Sequence, residues 1–267
     1  MASRKRFGHG WVLQANYTWS KALGNYDGDG SALEQNFRTL RNRGLDKMRM
    51  SFDRRHVAKA NGIWELPFGK GKRFGAGAPA WLGHVIGGWQ TGSILTIQTG
   101  SPISFSAVRA FNTAGNNTPV PVGAFPSDFG EVRRTGAGVV YFTGLKQVLD
   151  PYVAQITAVN GIQQRSTMLA VTDDGGKVLL RNPQPGQLGM GPRLLTGPGL
   201  FQLDLNLLKR ISFRERYEFT LRADAINFTN RANFSNPDTN INSLNFGVIS
   251  GTSAEPRVVV VSARFSF

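Results

Sequence analysis

Apolar and polar residues alternate with a period of two along several stretches of the chain. Phe201, Leu203, Leu205 and Leu207 fall on one side of an extended backbone, and Gln202, Asp204 and Asn206 on the other. Tyr217, Phe219, Leu221, Ala223 and Ala225 alternate with Glu218, Thr220, Arg222 and Asp224. Val259, Val261, Ala263, Phe265 and Phe267 oppose Ser262, Arg264 and Ser266. Nearer the start, Trp11, Leu13, Ala15, Tyr17 and Trp19 alternate with Val12, Gln14, Asn16, Thr18 and Ser20. Ala58, Ala60, Gly62, Trp64 and Leu66 alternate with Lys59, Asn61 and Glu65. A segment from Gly87 to about Ser104 is strand-like, but its two faces cannot be told apart. Because successive side chains of a strand point to opposite faces, these patterns predict strands with one apolar side. Their expected spans are about 8–20, 54–66, 87–104, 199–211, 216–228 and 256–267.

These strands are long. A tilted strand needs about 9–11 residues to cross a bilayer, whereas a typical strand has about five or six. Trp11, Trp19, Trp64, Tyr217 and Phe267 stand at strand ends on the apolar side, where a membrane barrel carries its aromatic girdles. The alternative is a sandwich that buries the same side. The connections distinguish the two. Residues 21–53, 67–86, 105–198, 212–215 and 229–255 alternate longer and shorter, as the extracellular loops and periplasmic turns of a membrane barrel do. That parity ends the final strand on the periplasmic side. Within 105–198, Leu169–Thr172 and Lys177–Leu180 flank Asp173-Asp174-Gly175-Gly176, a hairpin signature.

Composition narrows the possibilities. The 267 residues carry 31 Lys+Arg against 17 Asp+Glu, a formal charge of +14, with 32 Gly, 18 Phe and 0 Cys. Without cysteine there is no thiolate metal site and no thiol nucleophile. No apolar run reaches the 18 or so residues of a spanning helix. A β-barrel survives that test, since alternation dilutes its hydropathy. The start, Met1 to Phe7, is basic but has no apolar core of a secretory signal.

Candidate chemistry is sparse. His9, His56 and His84 lack ligand spacing. Neither a G-x-S-x-G elbow nor H-E-x-x-H is present. Gly69-Lys70-Gly71-Lys72-Arg73 lacks the spacing of a phosphate loop and reads as a turn after Pro67-Phe68. Asn25-Tyr26-Asp27-Gly28-Asp29-Gly30 imitates the opening of a Ca²⁺ loop. Asn36 stands where the bidentate Glu belongs, and Glu34 comes two residues early, so a polar loop is the better reading. No enzyme activity, cofactor or metal is expected. From Asn36 to Arg55, Arg38, Arg41, Arg43, Lys47, Arg49, Arg54 and Arg55 face only Asp46 and Asp53. Phe37 and Phe52 are the only interleaved aromatics and no nucleic-acid module is visible, so a nucleic-acid partner is not expected. Asp204, Glu218, Arg222, Asp224 and Arg264 share the polar side of three strands, either as a lining of charge or as a ladder of ion pairs.

Together these stretches resemble the C-terminal end of TonB-dependent outer-membrane receptors, in particular the Oar-like group with a carboxypeptidase-regulatory-like N-terminal domain. The resemblance rests on Asn16-Tyr17-Thr18-Trp19-Ser20-Lys21-Ala22-Leu23; Phe52-Asp53-Arg54-Arg55-His56; Pro67-Phe68-Gly69-Lys70-Gly71 with Gly87-Gly88-Trp89-Gln90; Gly197 to Leu205; Arg222 to Asn230; and Asn245-Phe246-Gly247. It implies an all-β, antiparallel, up-and-down transmembrane barrel of about 22 strands. This chain would be about the last six, an open curved sheet with long extracellular loops, 105–198 the longest. The plug domain, the TonB box and about sixteen earlier strands have no counterpart, so the chain is expected to be a fragment that does not transport alone. TonB would act only through that missing part. The expected function is a structural part of a receptor for solute uptake. The alternatives are a small self-standing barrel of about eight strands, using the 169–180 hairpin, and a basic polyanion-binding β protein.

The resemblance also assigns roles. The charged residues Asp204, Glu218, Arg222, Asp224 and Arg264 would face the lumen and its plug. Arg38, Arg41, Arg43 and Arg49 would lie on the outer face, either gripping lipopolysaccharide phosphates bidentately or in a solvated loop with no fixed partner. Phe265 and Phe267 would form the C-terminal signal read by the barrel-assembly machinery. The partners are therefore outer-membrane lipid, the rest of the barrel with its plug, and that machinery.

Overall fold

A computed structural model describes residues 2–7, 10–26, 37–39, 41–108, 117–123, 125, 130–136, 138–153, 168–184, 186–213 and 217–267. Its main element is a seven-stranded sheet in chain order: β1 (Ala2–Phe7), β2 (Trp11–Trp19), β3 (His56–Glu65), β4 (Trp89–Gln98), β5 (Leu200–Phe213), β6 (Tyr217–Ile226) and β7 (Val258–Ser266). Every neighbouring pair is antiparallel. The sheet is an open up-and-down meander. Among the described residues β1 pairs only with β2, and β7 only with β6.

β1 is one strand more than the alternation predicts. Arg4-Lys5-Arg6 shows no apolar period, and the segment is recruited by pairing, from Ala2 opposite Asn16 to Phe7 opposite Trp11. Two boundaries also move. β5 runs on to Phe213. β4 stops at Gln98, and Pro102–Ile103 instead pairs with Leu195–Thr196.

The register aligns the stripes. Trp11 lies opposite Trp64, Leu13 opposite Gly62 and Ala15 opposite Ala60. Ala60 faces Leu95 and Ala58 faces Ile97. Leu203 faces Leu95 and Phe201 faces Ile97. Leu207 faces Ala223, Phe219 faces Phe265 and Ala223 faces Val261. One face from β2 to β7 is thus predominantly apolar, and none of the described residues covers it: Val261 is 66% exposed and Phe267 89%. The register also resolves β4, whose Thr91, Ser93, Leu95 and Ile97 share the apolar face.

The packed core lies elsewhere. The connections 20–55, 99–199 and 227–257 leave the same end of the sheet. Two of them supply a core around Phe105, Phe142, Val171, Leu180, Ile241 and Ile249, all buried. Phe142 stands 5.0 Å from Phe105 and 5.3 Å from Phe246, ring centre to ring centre. The 169–180 hairpin forms as expected, but in its own four-stranded sheet with Leu145–Leu149 and Val120–Pro121. It adds no strand to the main sheet. The stretch about 105–198 therefore holds a built cap. At the opposite end, 66–88 carries a seven-residue helix, α1 (Ala80–Ile86). The chain reaches β4 through Gly88 at φ 69°, where a Cβ would stand 2.4 Å from the Arg210 carbonyl oxygen. Only glycine fits there.

Candidate functional site

The five charged candidates of the strands do share the polar face. Arg222 lies opposite Leu208 and Ser262, Asp224 opposite Asn206 and Val260, and Arg264 opposite Thr220. They do not form a cross-strand ladder. Arg222 donates to Asp224 Oδ1 from Nε at 2.9 Å and from Nη2 at 2.8 Å, within one strand. Glu218 Oε1 accepts from Thr220 Oγ1 at 3.0 Å. The Arg222–Asp224 pair is open to solvent and adds little stability.

Asp204 has a different task. Its Oδ1 accepts from the Asn227 backbone N–H at 2.8 Å and from Gln202 Nε2 at 3.0 Å. Asn227 and Asn230 adopt left-handed backbone, φ 49° and 51°, which Asn tolerates better than most residues. The buried Asn227 side chain then holds the turn, donating to the Arg231 carbonyl at 3.0 Å and the Glu255 carbonyl at 3.2 Å and accepting from Arg231 N–H at 3.1 Å. Asp204 thus anchors the exit from β6.

The basic segment divides. Arg38 is buried. Its guanidinium donates to the Leu45 carbonyl at 3.4 Å and to the Gly189 carbonyl, and its backbone N–H to Asp46 Oδ1 at 2.8 Å. Burial lowers the Arg38 pKa, against the opposing pull of Asp46. Arg49 Nε pairs with Asp53 Oδ2 at 2.8 Å, and its Nη1 donates to Thr196 Oγ1 at 2.8 Å. Burial would raise the Asp53 pKa, but the Ala22 N–H, Arg49 and Arg55 outweigh it and hold it low. Arg38 and Arg49 thus fasten the 20–55 connection to the cap, while Arg41 and Arg43 stay exposed, Arg43 stacked 4.6 Å over Phe37. Behind them a buried cluster joins the cap to 227–257. Asn182 Nδ2 donates to Asn242 Oδ1 at 3.0 Å and to the Leu169 carbonyl at 2.9 Å, and its backbone N–H to Asp150 Oδ2 at 3.1 Å.

Phe265 and Phe267 stand at the sheet end remote from the cap. Phe265 stacks on Tyr217 at 5.9 Å and on Phe267 at 6.3 Å. Trp11 and Trp64 face each other at the same end. Lys209 was not foreseen: it falls on the apolar face opposite Trp89. It is buried, and its Nζ donates to the carbonyls of His84 at 2.6 Å, Val85 at 3.0 Å and Gly87, the C-terminal end of α1. A stripe that ends at Leu207 gives no warning of it.

His9 and residues 27–36, including most of the Ca²⁺-like loop, lie outside the described residues. Among the described residues no cluster of His, Asp and Glu could hold a metal. His56 Nδ1 meets the Tyr17 hydroxyl at 2.7 Å, and the His84 carbonyl accepts from Lys209. In the Gly69–Arg73 turn, Lys72 pairs with Glu65 at 3.1 Å.

Comparison with known proteins adds one finding. The family model described as outer membrane beta barrel domain matches residues 1–259. No curated protein and no solved structure matches the chain.

Proposed function

We propose, from the premise that the chain belongs to the outer membrane beta barrel domain family, that its sheet is part of the wall of a TonB-dependent, Oar-like receptor for solute uptake. The family sets the protein in the bacterial outer membrane. The observation that carries the finer reading is the open sheet: among the described residues, an uncovered apolar face from β2 to β7, with unpaired edges at β1 and β7. A bilayer does not tolerate unpaired strand edges. In a seven-stranded meander, β1 and β7 run the same way, so closing the sheet on itself would join two parallel edges. Single-chain bacterial barrels have even strand numbers. Further strands complete the wall, and the charged face, with Arg222, Asp224 and Arg264, meets the plug inside. Phe265 and Phe267 are the end read by the assembly machinery. Among the outer-face candidates, Arg41 and Arg43 are free to meet lipopolysaccharide. A small self-standing barrel remains the second reading, but the 169–180 hairpin does not supply its extra strands.

The chain lacks cysteine, which makes single-cysteine spin labelling clean. Labels at Val259, Val261 and Ala263 should report lipid in assembled membranes, and labels at Val260, Ser262 and Arg264 should report water. A photo-crosslinker at Asp224 should capture a plug segment. Loss of the lipid–water alternation overturns the membrane wall. Intact alternation with no plug adduct overturns the receptor reading alone.

A further inference from the structure

Where the apolar face meets the cap, a groove of about 670 Å³ opens between the ends of β4 and β5, the turn after β6 and the cap strand Arg133–Thr135. Its lining includes Ile97, Arg134, Phe201, Arg231, Asn233 and Phe234, and among the described residues no carboxylate. Ile97 and Phe201 are cross-strand neighbours and the apolar-face residues of their strands nearest the cap. The groove therefore continues the lipid-facing surface at its cap end.

Both guanidinium groups lie on aromatic rings, Arg231 5.2 Å above Phe201 and Arg134 5.9 Å above Phe234. Neither makes an ion pair among the described residues. The neighbouring acid, Glu131, is 3.8 Å from Arg133 instead. Arg231 is placed by the Asn227 side chain, which binds its backbone at both N–H and carbonyl. A second observation points to a ligand oxygen. Asn233 is 3% exposed, its Oδ1 accepts from Phe201 N–H at 2.8 Å, and its Nδ2 has no hydrogen-bond partner. A buried donor left unpaired is costly.

We infer that this groove binds the phosphorylated headgroup of an outer-leaflet lipid, with Arg134 and Arg231 on the phosphate, Asn233 Nδ2 offered to a headgroup oxygen, and an acyl chain running down the column that begins at Ile97 and Phe201. The reading rests on the membrane wall proposed above. Planar guanidinium groups suit phosphate oxygens, and stacking on the rings holds them in place. The apolar floor beside them selects a lipid over a free anion.

The test uses the whole chain in maltoside detergent, which carries no phosphate. Native mass spectrometry titrates it with diphosphoryl lipid A, the dephosphorylated lipid and inorganic phosphate. Replacing both arginines, Arg134→Gln with Arg231→Gln, should weaken diphosphoryl lipid binding by about tenfold or more, since charge-assisted hydrogen bonds are lost. Removing the phosphates from the lipid should do the same. Asn233→Asp keeps the acceptor for Phe201 but removes the donor and adds negative charge, and it should weaken binding too. Arg133→Gln removes one positive charge outside the groove and should stay within about twofold. Undiminished binding by the double variant, or an equal loss in Arg133→Gln, overturns the site. Complete displacement by equimolar inorganic phosphate would make the ligand a free anion and overturn the lipid. A spin label at Val261 is read in parallel. If it reports water, the membrane wall has failed; if it reports lipid while the double variant binds normally, only the groove has failed.

Discussion

Leu205 lies near the middle of β5 on the apolar face, opposite Ser93 on β4 and Ala225 on β6. Its neighbours are small, so an arginine there has room but no partner: the charged candidates are all on the other face. At the bilayer midplane a lipid-facing arginine costs roughly 2–4 kcal/mol. That corresponds to about 30-fold to 700-fold in the folding equilibrium, at 1.4 kcal/mol per tenfold. Asn206, one residue on, faces the polar side opposite Gly92 and Asp224. Asn206→Arg should therefore cost no more than about 1 kcal/mol, the scale of an ordinary surface change. The two substitutions introduce the same side chain at nearly the same depth, on opposite faces. Denaturant unfolding of the assembled barrel from lipid vesicles, followed by tryptophan emission, measures both. Equal costs would refute the assignment of faces, and a cost confined to Asn206→Arg would reverse it.

Deleting Phe267, whose ring is almost wholly exposed and packs only along the rim, should leave folding in detergent intact and block membrane insertion in cells; normal insertion would refute the signal role. Asp53→Asn should destabilise the cap by about 3 kcal/mol, because it leaves Arg49 half-buried without its partner. As the Asp53 pKa is held low in the fold, its contribution is complete above the ordinary carboxylate pKa of about 4 and is lost as pH falls through the lowered value. Hydrogen exchange of the cap against pH should show that acid limb in the native chain and lose it in Asp53→Asn. Lys209→Met should leave the β4–β5 register unchanged while amides 83–88 exchange at least about tenfold faster, since the C-terminal carbonyls of α1 lose their donor; unchanged exchange would show that the lysine merely fills space.

Much of the sheet was legible because period two is written into it. The stripes of β2, β3, β5, β6 and β7 meet face to face once paired, and the register needs only that agreement. β4 was illegible alone, since Thr91 and Ser93 on the apolar face look no different from Gln90 and Gly92 on the other. β1 carries no stripe and exists through its partner. Of the cap only the 169–180 hairpin was legible, and the rest was hidden for another reason. Phe105, Phe142 and Ile241 come from distant parts of the chain with no common period, and only folding brings them into contact. The basic segment could be read as charge but not as geometry. Nothing in its spacing separates Arg38 and Arg49, which are spent inside the cap, from Arg41 and Arg43, which are not. The groove at Arg134 and Arg231 left no local signal, because its two cations stand almost a hundred residues apart.

The position of the core has a physical consequence for the wall. A sheet that leaves its apolar face to lipid has little protein burial with which to hold its strands in register, and its hydrogen bonds alone tolerate slippage. The cap supplies that constraint from one end. Ile103 and Leu195 pair directly beyond β4 and β5, and Ile241 and Ile249 reach the same core from the connection between β6 and β7. Arg49, through Thr196, and Arg38, through Gly189, tie in the connection between β2 and β3. A shift of any of these strands by two residues, the smallest slip that keeps its faces, would drag its cap segment by roughly 7 Å at about 3.3 Å per residue. That distance exceeds the reach of the contacts that close the core. The cap thus converts ordinary side-chain packing at one end into register along strands whose own side chains face lipid.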